Sequence, residues 1–255
     1  MHDAAVIDPF SDRGLARALA YVLGVSFLAA FVLLLLVELN IVAPEPTFHE
    51  GDAVLVDNIL LRFAHDQAAW PWEALGGLLF TIGFAAVAGL GATLPKLLGG
   101  SDGATRLWSV AFVVAGVLGI VGELLYLGVK EVAISTQYCE CALRDPQLIA
   151  RSEALDLAGN AQGWFTDAFA VVFGIGLIIG GRISMSTLAL SASWRRYTLW
   201  LGVAGVAFVV IGRVLTGLSG PDTDLTGISL LLVGLVAAVL TPIWAFWTAR
   251  SIPRT

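Results

Sequence analysis

Charge is scarce in this chain. Asp, Glu, Lys and Arg make up 13% of its 255 residues, about half of the roughly 25% found in a soluble globular domain. With 58% hydrophobic residues and a mean hydropathy of +0.86, a water-soluble enzyme is excluded and a lipid-embedded chain is indicated. Basic clusters are missing too. Formal net charge is −6, and no Lys/Arg-dense run stands apart from the flanks of the apolar segments, so nucleic acid is excluded as a partner. The three histidines, His2, His49 and His65, all lie outside the apolar runs. That rules out a bis-histidine membrane haem and disfavours copper at membrane depth. No Lys lies inside an apolar run for a Schiff base, no HExxH spacing occurs, and no span serine has a histidine partner. No catalytic residue, cofactor or metal is therefore expected. His49-Glu50-x-Asp52 with His65-Asp66 is the nearest approach to a ligand set, and it reads as an acidic solvated loop.

Long apolar runs are what the chain has instead. Six are long enough to span a bilayer core, at about 16–42, 73–95, 107–129, 162–181, 197–217 and 225–247. The expected fold is a single all-α membrane domain over 1–255, an integral bundle of six transmembrane helices. If the spans alternate, Arg13, Arg17, Lys96, Arg106, Arg182, Arg195, Arg196, Arg250 and Arg254 fall on one side, nine of the fourteen basic residues. That asymmetry predicts cytoplasmic N- and C-termini in a multi-pass protein of a bacterial inner membrane. The first run is too long for a signal-peptide core and is expected to be retained. Trp70, Trp72 and Trp164 sit near the predicted outer boundary, and Trp108, Trp194, Trp200 and Trp247 near the inner one, as in an aromatic belt.

The inner loops read as flexible turns, such as the Gly99-Gly100-Ser101-Asp102-Gly103 tract. The outer ones carry more pattern. Val54, Leu55, Ile59 and Phe63 recur at helical spacing within 51–66, and Asp145 followed by Pro146 starts a second apolar periodicity that Gly159 can end. Two short extracytoplasmic surface helices are predicted there. Between the third span and the second of them lies Cys139-Glu140-Cys141, the only cysteines. They read as a strained disulfide, two free thiols or a soft-metal ligand pair.

Glycine is abundant, with 28 residues. Membrane helices associate through close backbone approach, so Gly116, Gly119 and Gly122 in the third span and Gly202, Gly205 and Gly212 in the fifth mark packing faces. Gly176 and Gly180 form a GxxxG that serves either an internal contact or a homodimer. Pro242 is expected to kink the last span.

Depth gives the functional signal. Glu38, Glu123, Asp167 and Arg213 belong to four different spans, yet each lies only about 6–10 Å below the outer boundary at 1.5 Å per residue. Charges at that depth must be paired or solvated. Tyr126 and Lys130 share the Glu123 face. Pairing of Arg213 with Asp167 or Glu123 is the expected solution, and it has two readings: an outward-opening polar pocket, or a buried ion-pair cluster that only fixes helix positions. The inner halves of the spans are almost wholly apolar, which disfavours a transmembrane proton or ion path.

Three short stretches suggest a relationship: Gly51-Asp52-Ala53 followed by Asn58-Ile59-Leu60, Gly163-Trp164-Phe165-Thr166-Asp167, and Pro242-Ile243-Trp244-Ala245-Phe246-Trp247. With the six-span layout, they make the chain resemble the bacterial membrane proteins grouped as domain of unknown function 4386. It departs from them in a longer second outer loop containing Cys139 and Cys141. The resemblance implies a six-span fold and no activity, cofactor or site residue. The expected function is binding or sensing of a small amphiphilic or anionic molecule in an outer-leaflet pocket. The alternative is a structural accessory subunit that meets other membrane protein subunits through its glycine faces. Membrane lipids are partners under either.

Overall fold

A backbone surrounded by lipid must satisfy its N–H and C=O groups internally, and helices do so within one segment. In the computed structural model, which describes residues 12–44, 47, 55–97, 103–135, 145–183, 190–218, 232 and 234–252, every regular element is helical. These are α1 (Asp12–Glu38), α2 (Leu55–Leu97), α3 (Gly103–Ser135), α4 (Asp145–Ile183) and α5 (Ala192–Leu218), then a π-helical turn, Val236–Leu240, leading into α6 (Thr241–Ser251). The first five are long and apolar enough to cross a membrane. Much of the outer half of the predicted sixth span lies outside the described residues.

The two predicted surface helices are not separate elements. The first continues without a break through Pro71 into the second span, making α2 43 residues long. At 1.5 Å per residue that is about 64 Å, twice the roughly 30 Å hydrocarbon thickness. The second runs through Gly159 into the fourth span, making α4 39 residues long. Pro71 removes one intrahelical donor, which costs least at a membrane boundary where the spared carbonyl can be solvated. Gly159 would end a helix only in the left-handed conformation; its backbone φ stays out of that range. The extensions pack on each other through Ile59, Phe63, Leu148 and Leu155.

The first helix ends four residues before its apolar run does. Asn40 takes a positive φ of 54°. Its N–H bonds the Val37 carbonyl at 2.8 Å and that of Ile41 bonds the Leu36 carbonyl at 3.0 Å, the paired bonds of a Schellman stop. Ala43 then packs with Val37 and Ala69, turning the chain back along α2.

Each helix packs on its neighbour in sequence, and α6 returns to α1. Glycines set the approach. A Cβ on Gly116 would lie 2.5 Å from the Phe84 carbonyl oxygen, and Gly174 and Gly202 face each other across α4 and α5 so closely that a Cβ on Gly202 would lie 2.5 Å from the Gly174 oxygen. The Gly176 and Gly180 pair is also used inside the chain, against Phe112 and Trp108 of α3. Of the two readings of that motif, the internal contact is the one these distances fit.

The predicted inner aromatic belt is only partly one. Trp200 is exposed, but Trp108 and Trp194 are buried with Trp244 in the main core. Trp194 and Trp244 are satisfied by a reciprocal exchange. The Trp194 indole donates to Thr248 Oγ1 at 2.9 Å, and that hydroxyl donates to the Trp244 carbonyl at 2.7 Å. In turn the Trp244 indole donates to Thr198 Oγ1 and that hydroxyl to the Trp194 carbonyl, both at 2.9 Å. A Trp-x-x-x-Thr spacing occurring once in α5 and once in α6 produces this clasp. Ser191 Oγ accepts from the Trp194 N–H at 3.1 Å, capping α5 just before it. Thr248→Val keeps the shape but strands the Trp194 indole, and is expected to cost about 1–2 kcal/mol in denaturant titration of the micellar protein. Thr248→Ser should retain most of the stability.

At Pro242 the predicted kink takes the form of the π turn. The Thr241 N–H reaches back to the Val236 carbonyl, and Tyr197 Oη donates to the Leu240 carbonyl at 2.9 Å, holding the irregular backbone against α5.

Candidate functional site

Arg213 lies near the C-terminal end of α5, and one turn of α4 supplies both its neighbours. Nε donates to Asp167 Oδ2 as an ion pair, and the guanidinium stacks 4.1 Å from the centre of the Trp164 ring, a geometry in which the ring face attracts the cation. The two sides of the pair differ in exposure. The Arg213 side chain is 41% exposed and that of Asp167 17%, while Trp164 is exposed. Arginine has five N–H donors; among the described residues only the one on Nε has a hydrogen-bond acceptor.

Glu123 has a different partner. It is buried and accepts from Gln162 Nε2 at 3.0 Å, with its other oxygen over Gly77, where a Cβ would come within 2.7 Å. The missing side chain at Gly77 makes the room for the carboxylate. Gln162 and Gly163 are adjacent in α4, and a Cβ on Gly163 would lie 3.9 Å from Arg213 Nη2, so the Glu123 and Arg213 sites share one turn of α4. Glu38 does not join them. It is exposed at the end of α1 and has no ion-pair partner among the described residues.

Tyr126 belongs to a third group that depth alone did not find. Lys130 is only 3% exposed. Its Nζ donates to Asp66 Oδ1 at 2.9 Å, forms an ion pair with Glu73 Oε2, and lies 3.5 Å from Tyr126 Oη. Arg62 stands above this cluster, 2.8 Å from Asp156 Oδ1 of α4 and 4.0 Å from Asp66. Asp66, Glu73 and Gly77 recur at spacings of seven and four along α2, on one helical face, and that pattern was the available signal. It was hidden because 51–66 read as a separate helix with no fixed register to the second span. Asp66 with Lys130, and His65 Nδ1 lying 2.9 Å from the Pro44 carbonyl, also account for two of the loop residues weighed as metal ligands. No metal-binding group is formed among the described residues. Cys139 and Cys141 lie outside them.

Beside Arg213, α4, α5 and the π turn leave a narrow cleft of about 30 Å³. Its walls are almost wholly apolar, from Thr166 and Phe169 through Phe173 to Leu177 on α4 and from Val209 down to Leu201 on α5. Thr166 is next to Asp167, and Val209 is one turn from Arg213, so the cation and indole stand at that end of it. The arrangement sets a cationic donor beside an apolar cleft. Comparison of the chain with protein-family models, with curated proteins and with solved structures finds no match in any of the three.

Proposed function

We propose that the chain is a six-span protein of a bacterial inner membrane, with both termini cytoplasmic, that binds or senses a small amphiphilic or anionic molecule at the level of the outer leaflet. The likeness to the domain of unknown function 4386 proteins agrees with that layout and adds no activity. One observation carries the binding reading. Arg213 is half-exposed, stacked on Trp164, and engages Asp167 through Nε, leaving its terminal donors for an incoming acceptor. Lys130 makes the contrast, since it is closed in by Asp66 and Glu73 and serves the fold.

One double variant separates binding from packing. Because the Arg213 pair is part exposed, the double change Arg213→Met with Asp167→Leu should shift stability by less than about 1 kcal/mol while removing the ligand. The measurement is mass spectrometry of small molecules retained by the purified full chain in mild detergent. Retention of the same species by the double variant would refute the reading, and stoichiometric partner chains in its place would favour the accessory-subunit alternative. The topology is tested separately: a reporter fused after Thr255 should be active only in its cytoplasmic form, and periplasmic activity would refute the six-span count.

A further inference from the structure

We infer that Glu123 is a proton-binding site, an undissociated carboxyl held between α2, α3 and α4. The inference is independent of the Arg213 reading. Each of the neighbouring buried carboxylates is held by a cation, Asp167 by Arg213 and both Asp66 and Glu73 by Lys130. Glu123 is the exception. It is 9% exposed, makes no ion pair among the described residues, and receives its one side-chain hydrogen bond from the uncharged Gln162. An ionised carboxylate without a partner is so costly to bury that the group takes up a proton instead, and an ionisable residue inside an apolar span marks a functional position.

The surroundings fit a proton and no larger cation. Glu123 Oε1 lies over Gly77, where a Cβ would come within 2.7 Å of it and within 2.9 Å of the Leu127 methyl carbons, whereas a divalent ion needs about six oxygen ligands. Gln162 can serve both charge states, since an amide nitrogen donates to the ionised form and an amide oxygen accepts from the acid. The titratable groups around Glu123 fix the way in. On α2, Glu73 lies one turn before Gly77; on α3, Tyr126 and Lys130 lie about one and two turns beyond Glu123; on α4, Asp167 is committed to Arg213. Lys130 ties Glu73, Asp66 and Tyr126 into one polar group, which Arg62 extends to Asp156. Polar side chains thus continue from the level of Glu123 to one end of the α2–α3 seam. Toward the other end the seam is closed: a Cβ on Gly119 would lie 2.4 Å from the Phe84 ring, and one on Gly116 2.5 Å from the Phe84 oxygen. A proton therefore enters and leaves by the same end, which makes Glu123 a proton store or sensor and not a step in conduction.

The test uses dicyclohexylcarbodiimide, a lipid-soluble reagent that takes the protonated acid. The carboxyl proton moves to one carbodiimide nitrogen, the carboxyl oxygen bonds the central carbon, and an oxygen-to-nitrogen acyl shift leaves a stable N-acylurea with no atom lost. With the full chain in phosphatidylcholine nanodiscs at neutral pH, peptide mass spectrometry should place the adduct on Glu123 at least tenfold above Asp167, the carboxylate held by Arg213. Replacing choline chloride with sodium chloride should leave the labelling unchanged. Infrared difference spectra of the wild type against Glu123→Gln should carry the carbonyl band of an undissociated acid. A carboxylate band in its place overturns the proposal whether or not the reagent reaches the site. Equal labelling of Glu123 and Asp167 overturns it as well, and protection by sodium overturns the proton in favour of a metal cation.

Discussion

Lys130→Met is expected to destabilise the chain by about 3–5 kcal/mol, the usual result of removing one partner from a buried ion pair. The ammonium is nearly inaccessible and holds two carboxylates, Asp66 and Glu73, whose side chains are themselves 12% and 15% exposed. Without it both face a low-dielectric setting with a like charge beside them. Asp66 Oδ2 has no hydrogen-bond donor among the described residues and Glu73 Oε2 meets only the Lys130 ammonium, so the ammonium is the main compensation. The triple variant Lys130→Met, Asp66→Asn, Glu73→Gln should recover much of the loss, because it removes the charges together. Tryptophan fluorescence during denaturant titration in micelles reads both. A loss below about 1 kcal/mol in the single variant would mean that the cluster is hydrated and does not fasten α2 to α3.

Gly202→Val is expected to cost about 3 kcal/mol or more, the upper end of overpacking effects. The obstruction is the Gly174 carbonyl oxygen, 2.5 Å from the first added carbon, with the Ile178 backbone nitrogen at 2.9 Å. Neither can swing aside as a side-chain tip would, so α5 must move off α4 as a whole. Gly205→Ala, one turn away, is the control: its added carbon has ordinary clearance, and helix propensity favours alanine by up to about 1 kcal/mol. Equal behaviour of the two variants would show that α4 and α5 are not in backbone contact at Gly174 and Gly202.

Hydropathy located the five helices that are long and apolar enough to cross a membrane, because lipid demands an apolar run of fixed minimum length. It did not locate the ends of the helices. α2 and α4 continue as polar helix once outside the apolar stretch, and there the pattern resembles any amphipathic surface segment. Pro71 and Gly159 act as breakers in isolated sequence, and contacts such as Arg62 with Asp156 and Gln162 with Glu123 override them. The same error concealed the partners of Lys130, since Asp66 is placed under it only if α2 is one rigid rod. Arg213 and Asp167 were legible from depth, both being charges within apolar runs. Glu123 was equally legible in depth but not in partner, because Gln162 is uncharged and gives no hydropathy signal. Trp194 was misread because an indole near a span end has two uses, at the interface or in the core, and only the distant Thr248 decides between them.

The exchanged Trp and Thr bonds tie α5 to α6 twice over, and the Tyr197 hydroxyl on the Leu240 carbonyl adds a third tie one turn earlier in the closing segment. On α5 all three start from the short stretch between Trp194 and Thr198, so little more than one turn of that helix carries these bonds. Loosening Thr248 or Thr198 should thus be felt first in the seating of the π turn on α5.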